Sequence, residues 1–385
     1  MSSFSINTKI FFGKNSTDDV ITCLDSMKLK KIQFIVDASL KDSDVLHTLI
    51  DQYMRYDKEL ITPAYIKAVT EPTYDYLDYL VDNFRGVDFD VIIGIGGGTM
   101  LDIAKGVGIL VKNRGKAIDY RGMDQVTNPG VPVICYPSTA GTGSEVTHTA
   151  SFIDTSSQTK LGINGRYVAP LCGVLYPELT FSCPHRVTIG SGLDAMVHAV
   201  EAVTARTATS ISSMFGCQAF SMLYGSFPLV LSEPHNYVAR EKMLMGSYYA
   251  GIAMMNAGGG PASGISYPLG VHYGVPHGIA GGIFLPHVFE YNIRNGYLGY
   301  ENIYDRLSGA VCDLSVREKS AEFLNKINLL YESIGAPRKL RDWGWNDIDP
   351  DKLTGLTMKQ RKANLDLNPV DFGEEQTSAL IHKVF

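Results

Sequence analysis

Val91-Ile92-Ile93-Gly94-Ile95-Gly96-Gly97-Gly98-Thr99 runs directly into Met100-Leu101-Asp102-Ile103-Ala104-Lys105, and this junction decides the fold. Its first part is a continuous Val/Ile run, the pattern of a parallel strand buried on both faces. Its second part is amphipathic at helical spacing, and the glycines between them permit a tight strand-to-helix turn. Backbone amides at such a helix start hold anions well. The dinucleotide fingerprint is not completed, because Thr99 stands at the place of its third glycine, and no Gly-Lys-Ser/Thr ending of a P-loop follows. Alone, the turn is a weak signal: a phosphate cradle is favoured, with a plain strand-to-helix turn as the alternative.

Working outward, Lys31-Ile32-Gln33-Phe34-Ile35-Val36 reads as a second strand, ending at Asp37. A third is Val131-Pro132-Val133-Ile134-Cys135-Tyr136, ending at Pro137-Ser138-Thr139. Asp37 is placed either to accept from a ribose diol or simply to cap a turn. Pro137-Ser138-Thr139-Ala140-Gly141-Thr142-Gly143-Ser144-Glu145-Val146 is a second turn rich in glycine and hydroxyls. Two such turns at strand ends of one sheet flank the crevice where open α/β folds bind ligands. After about residue 180 the β-rich runs stop, and helical stretches such as Met196 to Ala205 and Met214 to Tyr224 take over. The expected architecture is an α/β dinucleotide-binding domain over 1–180, doubly wound on a mostly parallel sheet. An all-α helical domain follows over 181–385, with the active site in the cleft between them; Pro177 and Pro184 bracket the boundary.

A chain of 385 residues is long enough for two or three domains with their own cores. Hydrophobic residues make up 45% and charged residues 19%, with 38 glycines and 17 prolines, which excludes a disordered or collagenous chain. A formal charge of −6, with no basic run beyond Lys28-Leu29-Lys30-Lys31, argues against nucleic acid or an anionic membrane as partner. No stretch approaches ~20 uninterrupted apolar residues. The start, Met1-Ser2-Ser3-Phe4-Ser5, lacks the pattern of a signal peptide, so a cytoplasmic location is expected. The six cysteines are scattered without a Cys-x-x-Cys pair and read mostly as buried small hydrophobes.

Within Gly192-Leu193-Asp194-Ala195-Met196-Val197-His198-Ala199-Val200-Glu201, a carboxylate and an imidazole stand at i and i+4 and share a helix face. A surface Asp–His pair has the same spacing. The apolar flanks point to burial, where a lone ionised pair is costly and a ligand role is favoured. Further on, Ser266-Tyr267-Pro268-Leu269-Gly270-Val271-His272-Tyr273-Gly274-Val275-Pro276-His277-Gly278 sets two histidines among glycines and apolar residues, His277 being the better candidate ligand. One carboxylate and two imidazoles suit Zn²⁺ or Fe²⁺ with a position open for substrate.

Together these motifs resemble the iron-containing (group III) alcohol dehydrogenase family over nearly the whole chain, starting from Ile10-Phe11-Phe12-Gly13. The most specific pieces are Gly96-Gly97-Gly98-Thr99-x-x-Asp102-x-Ala104-Lys105, Thr139-Ala140-Gly141-Thr142-Gly143-Ser144-Glu145, Gly192-Leu193-Asp194-x-x-x-His198-Ala199-x-Glu201 and Pro276-His277-Gly278. The resemblance implies a nicotinamide-nucleotide domain, a helical domain, and a divalent metal between them. By position it implies that Gly97, Gly98, Thr99, Asp102, Thr139, Thr142, Ser144 and Lys160 bind cofactor, and that Asp37 goes with NAD rather than NADP. It implies Asp194, His198 and His277 as metal ligands. The family's fourth ligand, fourteen residues before the Pro-His-Gly histidine, falls on Ser263, a poor ligand; a second family histidine, ten before, bordering substrate and nicotinamide, falls on Tyr267. A Ser-Tyr-Pro version of that position is similar to several branches, phosphonoacetaldehyde reductases among them. Tyr267, His272 and His277 are thus the candidate catalytic residues, and His272 is a candidate to rebuild the ligand set.

The expected function is an NAD(H)-dependent, Fe²⁺- or Zn²⁺-assisted alcohol dehydrogenase or aldehyde reductase. Its substrate would be a small alcohol or its aldehyde or ketone, with phosphono and other charged aldehydes among those in view, and the protein would be a homo-oligomer. The alternatives are a metal-free oxidoreductase of the same fold, a dehydroquinate-synthase-like lyase using NAD transiently, and a non-catalytic nucleotide-binding protein.

Overall fold

Apolar runs bounded by turn residues become strands here, and the amphipathic stretches between them become helices. The computed structural model describes residues 3–56, 58–67, 69 and 71–385. The elements of the first part are β1 (Lys9–Phe12), α1 (Ser16–Ser26), β2 (Lys31–Asp37), α2 (Asp44–Met54), β3 (Glu59–Ile66), α3 (Tyr74–Val81), β4 (Val91–Gly96) and α4 (Gly98–Leu110). Then come β5 (Gly122–Met123), β6 (Val133–Pro137), β7 (Thr149–Asp154), β8 (Thr159–Asn164) and β9 (Cys172–Leu175). The chain divides into two compact units, one of them Ile6–Thr139 with Ser144–Cys183, the other Pro184–Phe385 with Ala140–Gly143 and residues 3–5. A single cut at residue 180 does not describe this division, because the middle of the second glycine turn goes with the helices.

In the first unit six parallel strands are ordered β1-β9-β6-β4-β2-β3. Side chains alternate between two apolar layers. Phe34, Val36, Ile93, Ile95, Ile134 and Tyr136 pack with α1 and α2, while Ile35, Ile92 and Cys135 pack with α3 and α4 on the other face. Helices on both faces make this a doubly wound sheet, which is why its central strands read as unbroken Val/Ile runs. The expected strand at Val131 joins the ladder only at Val133, because Pro132 has no N–H to donate. Its carbonyl still accepts from Ile92 N–H at 3.0 Å. β3 was not anticipated; Pro63 interrupts its pattern, and an edge position with a register shift opposite Gln33–Ile35 accommodates it. A second sheet, β5-β8-β7, has an antiparallel β7–β8 hairpin.

The second unit contains α5 (His185–Thr204), α6 (Ser210–Ser232), α7 (Tyr237–Ala257), α8 (Pro261–Tyr273), α9 (His277–Arg294), α10 (Glu301–Tyr304), α11 (Val316–Ser333), α12 (Pro350–Leu365) and α13 (Glu374–Lys383). Among the described residues no strand follows β9. Side-chain caps set several helix starts: Thr209 accepts from Ser212 N–H, Asn236 from Ala239 N–H, and Ser315 with Glu318 forms a reciprocal box. α5 packs against α6, α7 and α9, and α8 against α9 and α12. α6 is long and apolar enough to cross a membrane by length and composition alone, and 44% of its most apolar window is buried inside the protein. The cysteines are free thiols, of which only Cys135, Cys172 and Cys217 are buried, so the reading of them as mostly buried holds for half.

Candidate active site

The first glycine turn lies between β4 and α4. Gly96 admits no side chain, since a Cβ there would stand 2.6 Å from Met100 Cβ and 3.1 Å from Asp37 Cβ. Asp37 therefore sits beside the turn, at the end of the neighbouring β2. Its Oδ1 accepts from Ser39 N–H at 2.9 Å, which caps the turn after β2. Gly97 is the N-cap of α4, and no side chain caps that helix. The first-turn amides of Gly98 and Thr99 thus remain for an anion, and Gly97, Gly98 and Thr99 are only part-buried. A Cβ at Gly97 would meet Thr139 Oγ1 at 3.4 Å, which brings Thr139 to the same turn.

Asp102 and Ser144 face each other. Ser144 Oγ donates to Asp102 Oδ1 at 2.5 Å, and Asp102 Oδ2 accepts from Ser151 N–H at 2.9 Å. Both carboxylate oxygens thus brace α4 to β7 and the segment before it. Lys105, almost fully buried, reinforces this brace by donating to the carbonyls of Thr149 at 2.7 Å and Thr147 at 3.3 Å. Burial pushes the neighbouring Glu145 carboxyl up to about 7, against the pull of its own backbone amide and of Lys105. Lys160, on β8, is ion-paired with Glu71 at 2.5 Å. The second glycine turn differs from expectation. A Cβ at Gly141 would lie 2.8 Å from Ser191 Cβ, and one at Gly143, with φ +64°, 2.7 Å from Gly251 Cα. These two glycines serve close packing on α5 and α7, and Thr142 between them is exposed.

In the helical unit, α5 carries Asp194 and His198 one turn apart, and His277 is the first residue of α9. Their ligand atoms all lie within 4.8 Å of one another. Asp194 Oδ1 stands 3.6 Å from His198 Nε2 and 3.9 Å from His277 Nε2. These separations exceed a hydrogen bond; donors about 2.0–2.2 Å from a shared ion stand roughly 3.4 Å apart. His198 Nδ1 is enclosed without a hydrogen-bond partner, and Asp194 and His198 are both about 5% exposed. A buried carboxylate flanked by two imidazoles fits a divalent ion of the zinc or iron type.

Ser266, to which the sequence assigned no role, orients His277. Its hydroxyl donates to the Ser263 carbonyl at 2.6 Å, so toward His277 Nδ1, 2.8 Å away, it accepts. The ring is thereby held with its proton on Nδ1 and its Nε2 lone pair toward Asp194. Ser263 is turned elsewhere: its hydroxyl donates to Glu201 Oε2 at 2.5 Å. Glu201 also accepts from the amides of Gly260 at 2.7 Å and Ala262 at 2.8 Å, so a buried carboxylate from α5 caps α8. Burial raises its pKa, against these hydrogen bonds. His272 does not join the metal-ligand group, so the structure does not rebuild the set with it. Its Nε2 is enclosed without a partner, and burial, then Lys352, holds its pKa down. Tyr267 does reach the group, its ring 4.6 Å from that of His277 and tilted by 56°.

The model of the iron-containing alcohol dehydrogenases matches residues 7–177, and that of the C-terminal part of the Fe-containing alcohol dehydrogenase family matches residues 188–385. The chain belongs to the iron-containing alcohol dehydrogenase family. It is 29% identical over 353 residues to the NAD-dependent methanol dehydrogenase of Bacillus methanolicus, covering 92% of each chain. It is 30% identical over 324 residues to the sulfoacetaldehyde reductase of Bilophila wadsworthia, covering 83% of each. The solved structure of a 1,3-propanediol oxidoreductase superposes with a TM-score of 0.92 at 27% identity over the whole of both chains. For this iron-containing alcohol dehydrogenase, Ser266→Ala should leave the fold intact and weaken metal binding by about 10- to 100-fold, the usual cost of losing a partner behind a metal histidine. Titration against a competing chelator measures it, and wild-type affinity in the variant would remove Ser266 from the site.

Proposed function

We propose that this chain is an NAD(H)-dependent, metal-assisted alcohol dehydrogenase or aldehyde reductase that interconverts a small alcohol and its aldehyde or ketone. The observation that carries the reading is the cluster of Asp194, His198 and His277, two buried donors and a part-buried one, with His277 Nδ1 2.8 Å from the Ser266 hydroxyl. Asp194, His198 and His277 would hold the ion, and Ser266 keeps His277 facing it. A divalent ion bound there acts as a Lewis acid on the carbonyl or alkoxide oxygen. In the α/β unit, the α4 amides would hold the pyrophosphate, with Gly97 and Gly98 giving the close approach that side chains would block. The Asp37 carboxylate would accept from the ribose diol. Asp102, Ser144 and Lys105 hold the backbone of β7 and the segment before it against α4. Kinship with an NAD-dependent methanol dehydrogenase supports the same cofactor here.

Nicotinamide absorbance against a panel of short aldehydes and alcohols, with and without added Zn²⁺ or Fe²⁺, tests the reading. Net consumption of NADH is expected; bound NAD with no net turnover would instead indicate a lyase that uses NAD transiently. Asp37→Gly should narrow the preference for NADH over NADPH by about 10- to 100-fold, because the hydrogen bonds to a charged acceptor and the repulsion of a 2′-phosphate disappear together. Equal efficiency of the wild-type protein with both cofactors would show that Asp37 only caps its turn.

A further inference from the structure

The face of α5 that carries Asp194 and His198 also carries Glu201, the three standing at i, i+4 and i+7 of that helix. All three are almost fully buried. Asp194 and His198 belong to the ligand group, while Glu201 turns to the start of α8 and accepts there from four donors. Its Oε2 takes the amide of Gly260 at 2.7 Å and the hydroxyl of Ser263 at 2.5 Å, and its Oε1 takes the amides of Ala262 at 2.8 Å and Ser263 at 3.2 Å. The chain is shaped around the carboxylate: a Cβ at Gly260 would stand 2.9 Å from Oε1 and 3.0 Å from the carboxyl carbon. Three of the four donors are amides, which can only donate, so a carboxylate fits where a carboxamide, with donors of its own, does not.

α8 has no side-chain cap beside its start, its N-cap being Gly260. Elsewhere in this unit a neighbouring residue does that work, as Thr209, Asn236 and Ser315 do for α6, α7 and α11. A local cap satisfies the amides and leaves the helix free to shift as a body. A carboxylate reaching in from fifty-nine residues earlier satisfies the same amides and also pins α8 to α5. The pinned turn leads to the third ligand. The Ser263 carbonyl accepts from the Ser266 hydroxyl at 2.6 Å, and that hydroxyl lies 2.8 Å from Nδ1 of His277. Both serines are buried. Glu201, Ser263, Ser266 and His277 thus form one connected path from the α5 face back to the ligand group.

We propose that Glu201 is a positioning residue for the metal-ligand group: by clamping the first turn of α8 onto α5 it sets the place of the Ser266 hydroxyl and, through it, the orientation of His277 toward Asp194 and His198. Burying a carboxylate costs free energy that a surface cap does not, and the fixed position of α8 is what that cost sustains. Ser263 serves the clamp, its hydroxyl donating to Glu201. This role rests on the reading of Asp194, His198 and His277 as ligands given above, and extends the group to a residue that touches neither ion nor substrate.

The test measures Zn²⁺ affinity by chelator competition in wild-type protein, Glu201→Gln, Ser266→Ala and the double variant. Glu201→Gln keeps the size of the side chain and turns a donor toward the amide of Gly260 or Ala262. It should weaken Zn²⁺ binding by about 10- to 100-fold, the usual cost of losing a partner behind a metal ligand. Because the effect passes through Ser266, the double variant should bind about as weakly as the weaker single variant, well short of the product of the two losses. A second readout needs no ion. In ¹⁵N spectra of histidine-labelled, metal-free protein, with His277 assigned by the loss of its signal in His277→Ala, wild type should show one tautomer and Glu201→Gln a mixture. If Glu201→Gln does not fold, Ser263→Ala takes its place in the cycle, with a smaller loss expected because the amides of Gly260 and Ala262 still hold the carboxylate. Wild-type Zn²⁺ affinity in the variant, losses that multiply in the double variant, or an unchanged His277 tautomer overturns the assignment and leaves Glu201 as a cap of α8 alone, with the ligand group standing. Wild-type protein that takes up no Zn²⁺ or Fe²⁺ overturns the metal reading itself, and the role of Glu201 with it.

Discussion

His198→Ala should release the bound ion and lower turnover by about a thousandfold or more, because Lewis-acid polarisation is worth several kcal/mol in the transition state. His198 is about 5% exposed on α5, with its Nε2 3.6 Å from the carboxylate of Asp194. Its removal leaves one carboxylate and one imidazole, fewer than the three protein ligands a catalytic zinc keeps. Among the described residues no fourth ligand joins the cluster to take over, since Ser263 is committed to Glu201 at 2.5 Å and His272 stands apart from it. For the same reason the wild-type site should bind its ion more weakly than a four-ligand relative and emerge from purification partly empty. Elemental analysis and kcat on the same samples check this, with NADH binding as the control for folding. Full turnover in His198→Ala, or in wild-type protein after exhaustive chelation, would transfer the reaction to a metal-free mechanism.

What sequence reasoning reached and what it missed divide along a physical line. The β4–turn–α4 junction was legible because all its determinants are local: a buried strand has a composition, a turn needs glycine, and a helix has a period. Asp194 and His198 were legible for the same reason, since a spacing of four places both on one face of α5. His277 stood out through its Pro276 and Gly278 neighbours. The partners were not legible. Nothing near Ser266 says that its hydroxyl will meet an imidazole eleven residues on, across the α8–α9 turn. Ser263 reads as a missing ligand, yet its partner is Glu201, sixty-two residues earlier. Arg361, far along the chain, reaches Tyr267 only because α12 packs on α8 and departs from helical geometry at that residue. Gly141 and Gly143 look like cradle glycines in sequence, while in the structure they face Ser191 and Gly251. In each case the composition was correct and the partner was set by tertiary packing, which leaves no local pattern.

Gly278→Ala should cost about 1–3 kcal/mol of stability, as overpacking a close-packed interface does, and should weaken metal binding at the same time. A Cβ at Gly278 would stand 2.1 Å from the carbonyl oxygen of Gly190 and 2.7 Å from Asp194 Cβ. The first contact is with backbone and cannot be relieved by a rotamer change, so α9 must move off α5. Farther along the same seam, a Cβ at Gly282 would lie 2.7 Å from Leu193, so the two helices approach closely over more than one turn. α5 carries Asp194 and His198 while α9 carries His277, and the ligand set therefore depends on this spacing. A shift of about 1 Å is enough to spoil a constellation that must be held to a fraction of an ångström. Gly278 is thus explained by packing that serves the site, with no direct contact to a ligand required of it. Gly355→Ala supplies the contrast: its Cβ would meet nothing within 4 Å, inside helix α12. That change should raise stability by about 0.4–1 kcal/mol through the unfolded chain alone. Denaturant midpoints for the two variants should therefore move in opposite directions, and metal affinity should fall only in Gly278→Ala. A Gly278→Ala protein as stable as wild type, with its full complement of metal, would show that α5 and α9 are not in the contact described and that the ligand spacing does not depend on it.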